Sequence, residues 1–200
     1  MKLLQSLFAA VLFTLTAHAQ YISIDDAQTP QQLVQQLVGG TCTQISNVSV
    51  SGWANPAGLG YGYFDGAGTS FPFQNGVILS TGVAKSAEGP NTLLLGEGPG
   101  NWPGDADLEN ALGMTETFNA TVLEFDFVPL SNVINFNYIF SSEEYVQNLQ
   151  QNACDYTDGF AFLLKEAGGT TPYQNLAVLP DTNIPVMITT VRGQGSCPSA

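Results

Sequence analysis

Residues 132–166, NVINFNYIFSSEEYVQNLQQNACDYTDGFAFLLKE, alternate apolar and polar side chains twice, with a polar, acidic interval between the two runs. Ile134, Phe136, Tyr138 and Phe140 alternate with Asn135, Asn137 and Ile139, the period of a half-buried strand. Phe160, Phe162 and Leu164 share one face of a second strand. A repeat of two cannot gather on one stripe of a helix, whose period is 3.6. Other segments obey the same rule. Ile45, Val48 and Val50 alternate with polar residues between Thr43 and Ser51. Between Ala120 and Pro129, Leu123, Phe125 and Phe127 point inward while Glu124 and Asp126 point out. Val77 to Leu79 reads as a buried strand after a turn at Asn75-Gly76, and Leu176 to Leu179 and Val186 to Val191 add two more. Short strands without strand–helix alternation predict an all-β fold, an antiparallel β-sandwich of jelly-roll type.

One short N-terminal helix is expected. Thr29 caps it, Pro30 fits its first position and Gln32 completes a capping box. Leu33, Val34, Leu37 and Val38 form an apolar stripe at helical spacing, and Gly39-Gly40 ends it. Its place is at one end of the sandwich. Residues 85–105 read as a long loop rich in Gly, Pro and Asn, followed by a helical turn from Gly104 through Leu112.

The first 19 residues read as a signal peptide. Lys2 supplies the positive start, Leu3 to Leu15 the apolar run, and Ala17-His18-Ala19 the small-x-small cleavage site. The apolar run falls short of the roughly 20 residues that span a bilayer. The mature chain then covers residues 20–200 as one domain, secreted or held at the cell surface, with no membrane insertion after cleavage. Cleavage removes Lys2 and the one histidine. Lys85, Lys165 and Arg192 then face all 17 acids, so three cations against 17 anions leave a net charge of −14. Nucleic acid and anionic membranes repel such a chain. Without histidine, a Ser-His-Asp triad, a Cys-His dyad and a histidine zinc site are excluded. Three cysteines in an oxidising space allow at most one internal disulfide. Cys154 and Cys197, each beside a strand end, are the favoured pair, leaving Cys42 for a partner beyond Ala200.

The acids mark candidate sites. Carboxylates at both ends of the central strand pair repel one another unless a cation lies between them. In falling order, Glu143, Glu144, Asp158, Asp105 and Asp107 are the expected ligands of a calcium ion. The competing reading is that Asp105 and Asp107 cap a helix and the rest are solvated. Trp53, Tyr61, Tyr63 and Trp102 lie in or near glycine-rich loops, and an exposed cluster of them would hold a sugar. An irregular loop folded on its own aromatics explains the same residues.

Several motifs occur in an order that resembles the choice-of-anchor L domain of secreted and surface bacterial proteins. They are GVILSTG at 76–82, GPN at 89–91, GDADL at 104–108, LEFDFVPL at 123–130, FNYIFSSEEY at 136–145, DGFAFLLKE at 158–166 and NLAVLPDTNIPVMITTV at 175–191. Ser141 stands where the family often has alanine. The resemblance implies an extracellular β-sandwich module carried on larger proteins, without established enzymatic activity. It also implies further strands beyond the position of Cys197. The expected function is therefore a non-catalytic module for adhesion to, or recognition of, carbohydrate or protein, stabilised by calcium. Two alternatives stand beside it: a secreted glycan hydrolase using paired carboxylates, and a ligand-free spacer of a larger adhesin.

Overall fold

Strands paired antiparallel make up most of the regular structure, which a computed structural model describes for residues 21–38, 40, 42–52, 54–55, 58–90, 95, 101–145 and 157–191. The side chains of Thr43, Ala54, Asn55 and Glu144 lie outside this description. The longest ladder joins β2 (Cys42–Ser51) to β7 (Val122–Pro129), with Ile45 opposite Phe127 and Val50 opposite Leu123. Both strands fall where the alternation predicts them. The register breaks between Ser46 and Ser49, where Asn47 takes a left-handed conformation, φ 51°. Asparagine tolerates that region better than other side chains. Its Nδ2 also donates to Asp126 Oδ2 across the pair at 2.6 Å, which fixes the bulge.

A three-stranded sheet places β5 (Tyr61–Asp65) between β1 (Ser23–Asp25) and β6 (Asn75–Leu79). Here one expectation fails. Asn75-Gly76 is not the hairpin turn: both residues already pair, opposite Asp65 and Phe64. The turn lies earlier, closed by Gly66 N–H donating to the Gln74 carbonyl at 2.7 Å. Gly76 is glycine for another reason. A Cβ there would stand 2.8 Å from the Phe64 ring, so the missing side chain makes room for that ring. Phe64 in turn packs with Ile24 and Ala84 in the core.

The N-terminal helix α1 (Pro30–Val38) forms as predicted, with its box closed in both directions. Thr29 N–H donates to Gln32 Oε1 at 2.8 Å, and Gln32 N–H donates to Thr29 Oγ1 at 3.3 Å. Leu33, Val34 and Val38 are buried, against β2 and β6, whereas Leu37 is exposed and leaves the stripe. The second helix, α2 (Ala106–Leu112), ends on Gly113 in the left-handed region.

The remaining strands are short: β3 (Ala54–Asn55) with β4 (Gly58–Leu59), β8 (Gly159–Phe160) with β11 (Val186–Met187), and β9 (Leu163–Leu164) with β10 (Gln174–Asn175). Leu176 to Leu179 is not a strand, although Val178 bridges Pro185. Residues 132–140 form no ladder among the described residues, despite their alternation. The predicted loop of residues 85–105 contains part of a 3-10 turn, Ala84–Glu88. Among the described residues, no helix is long and apolar enough to cross a membrane.

Candidate functional site

Ring contacts and a side-chain hydrogen bond join residues 136–142 to residues 158–162. Phe136 packs at a tilt against Phe162 with centroids 4.5 Å apart, and Tyr138 against Phe160 at 5.2 Å. One partner advances two residues as the other retreats two, which is the spacing of antiparallel neighbours. At the end of this pair, Ser142 Oγ donates to Asp158 Oδ2 at 3.0 Å. Ile188 N–H donates to the Asp158 carbonyl at 2.9 Å. The Tyr145 hydroxyl donates to the Val191 carbonyl, and its ring meets Phe140 edge-on. Asp158 and the turn bearing Glu143 therefore lie at the same end of this pair. Glu143 and Glu144 lie on a 3-10 turn, Glu143–Tyr145, so the strand has already broken there.

Asp105 and Asp107 are placed elsewhere, on α2. Asp105 is the N-cap: its Oδ1 accepts from Leu108 N–H at 2.8 Å. Its own N–H donates to Thr117 Oγ1 at 3.0 Å. Thr117, buried, donates from both N–H and Oγ1 to Glu109 Oε1, at 2.9 and 3.1 Å. Asp107 is exposed in the first turn. These acids serve the helix terminus and its anchoring loop, the competing role weighed above. Among the described residues, no three Asp, Glu, Cys or His side chains gather as metal ligands do.

The four aromatics do not share one exposure. Trp102 is 3% exposed, and its Nε1 donates to the Ala120 carbonyl at 2.8 Å. Its ring lies over Gly60, where a Cβ would stand 2.9 Å from it. Tyr61 and Tyr63 are half-buried on the same side of β5, with Gly62 and Phe64 buried on the other. Trp53 lies outside the described residues, as do Cys154, Cys197 and the signal-peptide segment.

One charged arrangement escapes sequence reasoning altogether. The central residue of β1, Ile24, bonds side chains along its outer edge. Its N–H donates to Glu88 Oε1 at 2.7 Å, and its carbonyl accepts from Lys85 Nζ at 3.4 Å. Two side chains of opposite charge, three residues apart on one 3-10 turn, thus stand in for a neighbouring strand. The spacing of Lys85 and Glu88 was visible in the chain, but nothing local names a partner 61 to 64 positions away.

The family model described as Choice-of-anchor L domain matches residues 22–200. No curated protein and no solved structure matches the chain.

Proposed function

We propose that this chain, which belongs to the choice-of-anchor L domain family, is an exported, non-catalytic module displayed at the cell surface for recognition of carbohydrate or protein. The observation that carries this reading is the family match across residues 22–200. The family's description points to a surface-associated module. The A-x-A ending of the first 19 residues supports export by signal cleavage. Strong net negative charge supports a soluble, extracellular life and argues against nucleic acid as a partner.

Calcium belongs to the proposal at one place only, the end where Ser142 joins Asp158 and the Glu143 turn lies alongside. The purified mature chain, stripped with chelator, is titrated with millimolar calcium at constant ionic strength. A rise in melting temperature that Asp158→Asn removes supports the ion; an unchanged melting temperature dismisses it. Incubation with a glycan panel tests the non-catalytic assignment. Hydrolysis lost in Glu144→Gln would replace recognition by catalysis.

One observation favours a second reading, the ligand-free spacer. The buried, hydrogen-bonded Trp102 is a core residue, so the aromatic set cannot form one exposed platform. A spacer leaves no ligand on any binding assay, and its point substitutions change stability alone.

A further inference from the structure

Asp25, Ala27 and five glutamines between positions 28 and 36 line an open groove of about 630 Å³ on the solvent side of α1. The glutamines recur at steps of three and four, the spacing of one helix side. The opposite side carries the buried Leu33, Val34 and Val38, so the groove rests on a packed element.

Three of the five amides, Gln28, Gln32 and Gln36, are hydrogen-bonded. Ala27 N–H donates to Asp25 Oδ1 at 3.0 Å, and Gln28 Nε2 donates to Asp25 Oδ2 at 3.2 Å. Gln36 Nε2 donates to Gln28 Oε1, extending the chain of bonds across the groove. Gln32 Oε1 is held by Thr29, through N–H and Oγ1. These bonds orient the amides of Gln28, Gln32 and Gln36. They leave the Gln36 oxygen as an acceptor, the Gln32 nitrogen as a donor, and both ends of the exposed Gln31 and Gln35 amides for a ligand.

The chemistry of the lining selects the ligand class. It holds no lysine or arginine to attract an anion. Its one carboxylate already accepts a bond at each oxygen. Its one apolar side chain is the methyl group of Ala27, which gives peptide side chains no pocket. A peptide could instead add as a strand along β1, but Glu88 and Lys85 occupy that edge at Ile24. Vicinal hydroxyls remain: each donates and accepts, as a primary amide does.

We propose that the glutamine-lined groove over α1 binds a neutral glycan. The proposal rests on the reading of the chain as a surface recognition module. Open, hydrogen-bonded contact is weak per copy and gains from display of many copies on one surface.

The test uses the chain from residue 20, biotinylated and clustered on streptavidin. It is applied to immobilised neutral oligosaccharides of glucose, mannose, galactose and N-acetylglucosamine, with sialylated and sulfated glycans and a peptide array alongside. Retention on a neutral glycan is expected. It falls at least tenfold in Gln31→Ala/Gln35→Ala and also in Gln36→Ala, with melting temperatures unchanged. Retention only on charged glycans or peptides, or full retention by both variants, overturns the groove. If Tyr61→Ala/Tyr63→Ala abolishes retention while the glutamine variants keep it, the groove is wrong and the recognition module stands. A chain displayed on cells that binds nothing on either array overturns the groove and leaves the spacer.

Discussion

Gly60 and Trp102 meet where a side chain on one would displace the other. An alanine Cβ at Gly60 would press on the indole 2.9 Å away and on Thr121 Oγ1 at 2.5 Å. Gly60→Ala should therefore destabilise the chain by about 1–3 kcal/mol through overpacking, read by urea denaturation. Trp102→Phe keeps most of the buried ring but strands the Ala120 carbonyl, at a cost of about 1–3 kcal/mol. A ligand-contacting tryptophan would behave differently, losing binding at unchanged stability. Asp105→Ala should cost about 1 kcal/mol as a lost cap. Because its carboxylate serves Leu108 N–H, that loss should be equal with chelator and with calcium. A loss seen only with calcium would return Asp105 to the metal site.

At the scale of elements, the β1 edge carries the sharpest expectation. Exposed strand edges invite pairing with other chains, and covering them is a recurring remedy. Glu88→Ala removes a charged acceptor from the Ile24 N–H. Hydrogen exchange at the Ile24 amide should accelerate by at least tenfold while the β2–β7 amides stay protected. Equal exchange in both proteins would show that the glutamate is not the edge's partner. What the sequence made legible follows a physical line. The capping box of α1 was readable because both its bonds lie within four residues. The β2 and β7 segments were readable because burial of one face imposes the alternation. Residues 132–140 carry the same alternation, yet the structure pairs them by rings and not by ladder bonds. Period two states which side chains share a face; it does not supply a backbone partner. Asn75-Gly76 misled for a related reason. A local turn signal competed with the space required by Phe64 across the sheet, and the long-range contact prevailed. Of the candidate site, the Ser142–Asp158 bond, the burial of Trp102 and the Lys85–Glu88 arrangement all depend on distant chain segments that no local pattern names.

For the whole molecule, charge dominates. A chain of 200 residues with 17 acids and four lysines and arginines repels itself in the folded state. Raising sodium chloride from about 10 to 150 mM shortens the screening length from about 30 to 8 Å. The melting temperature of the mature chain should rise over that range without calcium. A fall would mean that attractive charge pairs outweigh repulsion. The same charge keeps the glutamine groove distinctive, since it is a largely uncharged surface on an acidic body.

Surface display underlies every functional statement above, and one measurement addresses it directly. Intact cells making the full chain are treated briefly with trypsin-free protease, and the released peptides and the protein's N-terminus are read by mass spectrometry. The account predicts peptides from the mature chain released without lysis, and a mature N-terminus at Gln20. Peptides that appear only after lysis, from a chain still beginning at Met1, would contradict it.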